Sequence, residues 1–216
     1  MTRLMDTIGK SVRERCKNAN LTLMEDEIRK CILRVFAKTG NPPTVKEIIE
    51  IVTAPSEDVV NQAIRKLRMA DILTTQVGVI TSAYPFSAAK TRHRVFFADG
   101  HSVHALCATD ALGMHFMLGE DITIKSVCPE CEHEITIVLK EGRIASRDPE
   151  SVIEYVKARE SCGCTADTCC PNINFFCGRG HLEQWKAGNP ADNSGEVYSL
   201  EEALEDGRMI FAEFLK

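Results

Sequence analysis

The sequence has no long basic tract, no apolar stretch of membrane-spanning length, no internal repeat and no low-complexity segment. Each absence closes off a class of function. With 26 Lys+Arg against 31 Asp+Glu and a net charge of −5, the composition offers no broad nucleic-acid footprint. The opening MTRLMDTIGKSVRERCKNANLTL is broken by charges, so it supplies neither the apolar core of a signal peptide nor a membrane span. The expectation is a soluble cytoplasmic protein. At 216 residues and 44% hydrophobic content, the chain can bury a sizeable core in one domain or two small ones.

Cysteine is present in excess. Of ten, Cys16 and Cys31 lie in the N-terminal third and eight fall between 107 and 177. In a reducing compartment, clustering of this kind points to metal or catalytic thiol chemistry rather than to a disulfide framework.

The first third reads as helical. MEDEIRKCILRVFAKTG places Ile28, Cys31, Ile32, Val35 and Phe36 on one helical face that Gly40 stops. TVKEIIEIV predicts a short helix with Thr44 as N-cap and Glu47 completing a capping box. A third helix follows Ser56, with Val59, Val60, Ala63, Ile64 and Leu67 apolar, and then LTTQVGVITSAYPF is β-rich around a turn at Gly78. Three helices and a β-ribbon are the order of a winged helix. Arg65, Lys66 and Arg68 give the third helix some positive charge, but three basic residues are common on any solvated face and the chain is acidic. Nucleic-acid binding is therefore not expected.

From about residue 82 the character changes. HRVFF, ITIKSV and HEITIVLK have strand composition, and NINFFCG is another short strand candidate. DPESVIEYVKARE reads as a helix opened by Asp148 with Pro149 at its first position, and SLEEALEDGRMIFAEFLK as a closing helix capped by Ser199. Between them, KAGNPADNSGEVY reads as a loop. The predicted fold class is α+β: a helical, winged-helix-like domain over residues 1–81, then a mixed α/β core over residues 82–216.

Three groups of thiols carry the chemistry. HALCATDALGMHFML suits a helix starting near Cys107, where unpaired backbone N–H groups and the helix dipole favour a thiolate. Asp110 lies about one turn further on, close enough to exchange a proton with a group bound at that sulfur. SCGCTADTCCPNINFFCG supplies Cys162, Cys164, Cys169, Cys170 and Cys177 in a Gly- and Pro-containing loop, which suits a soft metal or a thiol-reactive site. Adjacent Cys169 and Cys170 cannot easily face one point, so one turns to the site and the other inward. CPEC, with Cys128 and Cys131, has the spacing of half a zinc site that Cys162 and Cys164, or His133, would complete. C-x-C is the less usual second half, and the reading goes against a resident zinc.

These segments resemble the organomercurial (alkylmercury) lyases of bacterial mercury resistance. HALCATDAL is similar to the segment with that family's first catalytic cysteine and its aspartate. TCCPNINFF resembles its Cys-Cys-x-x-x-Phe-Phe segment, whose first cysteine is the second catalytic thiol. The resemblance runs from about residue 25 to the C-terminus and extends to the organisation, a winged-helix-like domain before a mixed α/β core. It implies Cys107, Asp110 and Cys169 as the catalytic set, with Cys107 and Cys169 holding mercury as substrate and product. It also places Cys128 at a family cysteine that is not a catalytic ligand. Cys131, Cys162, Cys164 and Cys177 are additional to the family pattern.

The implied activity is protonolysis of alkyl- or arylmercury to a hydrocarbon and Hg(II). It requires no cofactor, and the implied partners are small thiols and a mercuric reductase that receives Hg(II). Two other readings are a soft-metal-responsive winged-helix regulator and a thiol-rich metal-binding protein on the same fold. Asp110 argues against the second, because binding alone needs no acid beside Cys107.

Overall fold

Helix caps set the first long helices. In the computed structural model, which describes residues 12–157, 165–190 and 194–216, residues 12–18 are helical and α1 follows at Leu23–Thr39. The Thr22 hydroxyl accepts from the Glu25 amide and the Glu25 carboxylate accepts from the Thr22 amide, which satisfies two orphan donors at once. Gly40 ends α1 in the left-handed region at φ 71°. The same reciprocal box, Thr44 with Glu47, opens α2 (Val45–Val52), and Ser56 caps α3 (Glu57–Met69). Ile28, Ile32 and Phe36 of α1, Ile48 of α2, and Val60, Ile64 and Leu67 of α3 are buried in the core.

The ribbon forms as expected, with β1 (Leu73–Gln76) and β2 (Val79–Ala83) joined through Val77 and Gly78, both at positive φ as a two-residue hairpin turn requires. It is not an isolated wing. β3 (Phe86–Ser87), β4 (His93–Phe97), β5 (Ser102–Ala105), β6 (Ile122–Val127), β7 (Glu134–Lys140) and β8 (Arg143–Asp148) extend it into one antiparallel sheet of order β1-β2-β3-β5-β4-β6-β7-β8. The sheet therefore runs unbroken across residue 81. Of the basic residues on α3, Lys66 is held by the Glu25 carboxylate at 2.6 Å and the Asn20 carbonyl, leaving Arg65 and Arg68 exposed.

A second sheet has the order β10-β9-β11, from β9 (Ile153–Val156), β10 (Ile173–Phe176) and β11 (Glu196–Ser199). This corrects two expectations. The segment after Asp148 is not a helix: Asp148 ends β8, Pro149 lies in the turn, and residues 153–156 are the central strand. Ile153, Tyr155 and Val156 are β-branched or aromatic, and partners on both sides, such as Asn174 and Val197 opposite Tyr155, outweigh the helix-start signal. The expected loop is also shorter: its EVY forms most of β11, and its KAG ends a helix at Arg179–Gly188, α6, that precedes the strand.

Helix α4 (Ala108–Leu118) sits at the centre. It is buried from Ala108 through His115, which suits a core helix rather than a surface one. It crosses the closing helix α7 (Leu200–Phe211), capped by Ser199 and Glu202, at a pair of glycines. A Cβ on Gly207 would come within 3.0 Å of the Gly113 nitrogen, and one on Gly113 would overlap the Phe211 ring. Among the described residues no helix is long and apolar enough to cross a membrane.

Candidate active site

Strand β5 delivers the chain to Cys107, the N-cap of α4. Its Sγ accepts from the Asp110 amide at 3.4 Å, while the thiol donates to Asp110 Oδ2 at 3.0 Å. The sulfur thus replaces the usual capping oxygen, and one turn of helix fixes thiol and carboxyl against each other. From the other side, a four-residue helix α5 (Thr165–Thr168) and a 3₁₀ turn (Cys170–Asn172) lead into β10. That turn points Cys170 inward, its thiol donating to the same Oδ2 at 3.7 Å. The two sulfurs and the carboxylate oxygen all lie within 4.8 Å of one another, and all three residues are buried.

Cys169, expected as the second thiol, is outside this group. It is half-buried, and its sulfur faces the Thr168 hydroxyl at 3.8 Å. Adjacent residues diverge here because Pro171 opens a tight turn in which Asn172 bonds back to the Cys169 carbonyl. A signal for this was present in the sequence. Four residues, Pro171 to Asn174, separate the double cysteine from Phe175. Counting the family spacing back from the Phe pair, rather than forward from the Cys pair, makes Cys170 its first cysteine.

Burial sets the electrostatics. It pushes the Asp110 carboxyl up to about 7, although hydrogen bonds from Cys107 and Cys170 and the charge of Arg15 pull the other way. Burial also raises Cys107 well above an ordinary thiol, so the helix N-terminus does not hold it as a thiolate. A hydrogen bond with Cys107 lowers Cys170, but burial and the Asp110 charge outweigh it and leave that thiol raised. The resting site is two protonated thiols on one shared carboxyl. Beside them lies a cavity of about 20 Å³ walled by Val12, Tyr84, Ile173, Ile210 and Phe211, room for roughly one water-sized sphere. Arg15, Asp71 and Thr165 are knotted by hydrogen bonds next to it, tying the first helical segment to α5.

The remaining candidate thiols divide. Cys128 and Cys131 occupy the β6–β7 turn, but their neighbours are Cys177 and His181, at the junction of β10 with α6. Cys128 Sγ lies 3.9 Å from His181 Nδ1 and Cys131 Sγ 3.8 Å from Cys177 Sγ. Burial alone would raise Cys128, yet N–H groups of Cys131, Cys177 and Glu130 converge on its sulfur and hold it below its ordinary value. His133 is not in the group; its carbonyl accepts from the Cys128 amide. Cys162 and Cys164 lie outside the described residues. The C-x₃-H spacing of Cys177 and His181 was a sequence signal for this group that the adjacent double cysteine obscured.

The sequence profile of the family described as alkylmercury lyase matches residues 86–212, which include both groups. The chain belongs to the alkylmercury lyase family. An alkylmercury lyase of Staphylococcus epidermidis is 25% identical over 183 residues, covering 85% of this chain and 81% of that one. Another, of Bacillus cereus, is 26% identical over 115 residues, covering 53% of this chain and 51% of the relative. The crystal structure of the mercury-bound form of MerB2 superimposes with a TM-score of 0.79 at 22% identity, covering 96% of this chain and 98% of that one. The alkylmercury lyase fold is thus shared over nearly the whole chain.

Proposed function

We propose that this protein cleaves the carbon–mercury bond of alkyl- and arylmercury compounds by protonolysis, with Cys107, Cys170 and Asp110 as its catalytic residues. One observation carries the assignment: a single buried carboxylate oxygen stands 3.0 and 3.7 Å from two thiols that come from separate parts of the chain. A binder needs the sulfurs only. The carboxyl between them adds a proton carrier, and as a hard donor it does not compete with thiolate for mercury.

The steps balance. An organomercury thiolate, R–Hg–SR′, exchanges with one site thiol, forming a protein S–Hg bond and releasing R′SH. The second thiol passes its proton to Asp110 and coordinates mercury as a thiolate. Added sulfur density makes the carbon more basic. Asp110 then protonates that carbon, the carbon–mercury electron pair becomes the C–H bond, and R–H departs. Hg(II) remains bridged by Cys107 and Cys170, and Asp110 is again a carboxylate. Small thiols remove the metal and return two protons, for transfer to an acceptor such as a mercuric reductase. A carboxyl poised near 7 suits both halves of this cycle. The thiol requirement favours work in the reducing cytoplasm.

Incubation with phenylmercury and excess small thiol tests the proposal. Benzene should accumulate over many turnovers, whereas mercury uptake without hydrocarbon would leave a binding protein.

A further inference from the structure

We infer that Cys128, Cys131, Cys177 and His181 form a structural zinc site that clasps the β6–β7 turn to the start of α6. Three observations agree. The donors are three sulfurs and one imidazole nitrogen, all within 4.8 Å, a set that closes a tetrahedron and leaves no open position. Their spacing is C-x₂-C and C-x₃-H, with His181 in the first turn of a helix. The geometry is that of a metal-sized gap. Zn–S bonds of about 2.3 Å at tetrahedral angles put sulfurs about 3.8 Å apart, and Zn–N bonds of about 2.0 Å put sulfur and nitrogen about 3.5 Å apart. The Cys131–Cys177 and Cys128–His181 separations are 3.8 and 3.9 Å. A disulfide would need about 2.0 Å.

Cys131 is exposed, so a metal has a way in. The carboxyl that marks the Cys107 site is missing from this donor set, which suits holding and not chemistry.

The clasp has a mechanical role. β10 begins three residues after Cys170 and ends one residue before Cys177. A metal at Cys177 fixes the far end of a strand about 13 Å long whose near end carries the reactive turn. Ser151 reinforces that end by donating to the Cys177 carbonyl at 2.6 Å.

The intact purified chain should carry about one zinc per molecule by elemental analysis. After chelation, titration with Co(II) alone should produce the ligand-field and sulfur-to-metal bands of a tetrahedral thiolate site, bleached by one equivalent of zinc. Cys131→Ser and His181→Ala should lose or shift those bands, while the Cys107→Ser/Cys170→Ser double variant keeps them. Thermal unfolding of the unmutated chain should move to lower temperature on chelation and return with zinc. The inference is overturned if the chain takes up neither metal, if the bands vanish in the double variant but survive in Cys131→Ser and His181→Ala, or if Cys131 and Cys177 prove disulfide-linked in the metal-free chain as isolated. None of these readouts depends on carbon–mercury cleavage, so the zinc site and the lyase reading stand or fall separately.

Discussion

Two groups of sulfur donors lie at opposite ends of one short strand, and they differ in what accompanies the sulfurs. The Cys107 group has two thiols and a carboxyl, is fully enclosed, and adjoins a small cavity. The Cys128 group has three thiols and an imidazole, reaches the surface at Cys131, and has no carboxyl among its donors. Two sulfurs leave a soft metal with coordination to spare, and in the proposed reaction the carboxyl supplies a proton at the place where a bond is to break. Four donors saturate the metal and supply none. Cysteine enrichment alone therefore says little about catalysis; the presence or absence of one buried acid says much more.

The sharpest way to break the comparison is to remove one sulfur from each group. Cys107→Ser and Cys170→Ser should each reduce benzene release from phenylmercury to background, because one thiolate cannot raise the coordination of mercury. Cys169→Ser should keep most of the activity. The reverse pattern, with Cys169 essential and Cys170 dispensable, would reassign the second thiol.

Removing the acid comes next. Asp110→Asn should lose about 10²–10⁴-fold in cleavage while still taking up inorganic mercury. Mass spectrometry of the variant loaded with phenylmercury should find the phenyl group still attached. Equal rates of hydrocarbon release from variant and parent would remove Asp110 from the mechanism.

The same carboxyl should leave a mark on stability. Its folded value of about 7 lies above the ordinary aspartate value of about 3.9. Between roughly pH 4 and 7 the unfolded chain has released this proton while the folded chain still holds it, so ionisation costs stability as pH rises through that window. Asp110→Asn should therefore gain on the parent from pH 4 to pH 8, by at most about 4 kcal/mol. Urea unfolding of both proteins at the two pH values measures the gain; a difference independent of pH would mean Asp110 titrates normally.

The smallest effect belongs to the clasp. Cys131→Ser should lower activity by less than about tenfold, a loss of positioning rather than of chemistry, alongside a drop in melting temperature. Loss of activity as complete as that of Cys107→Ser would erase the distinction between the two groups.

Much of this was legible in sequence. Helix caps at Thr22, Thr44, Ser56 and Ser199 are local devices, so α1, α2, α3 and the closing helix could be read directly, whereas the helical turn at residues 12–18 was not. Thr22 apart, whose box only the structure brings out, the caps were named from residue pattern. Cys107 and Asp110 were equally local, three residues apart on one helix. What escaped depended on distance. The strand at Ile153–Val156 owes its form to partners some 20 and 40 residues later, and no local pattern outweighed Asp148–Pro149 as a helix start. The choice between Cys169 and Cys170 turned on one extra residue before Phe175, and Cys177 with His181 became partners of Cys128 only when β10 was laid against β6.

Gly113 has a consequence for substrate range. The Phe211 ring rests against it and also walls the cavity beside Cys107 and Cys170, while Gly207 lets the two helices meet backbone to backbone. A methyl group added at position 113 would not be absorbed in that crossing; it would drive the ring toward the thiols. On the proposed lyase reading, the room left for an organic group therefore depends on a residue behind the pocket, one helical turn from Asp110, that has no side chain. Directed evolution toward bulkier organomercurials that varied only the cavity lining would pass over the position that seats its largest wall.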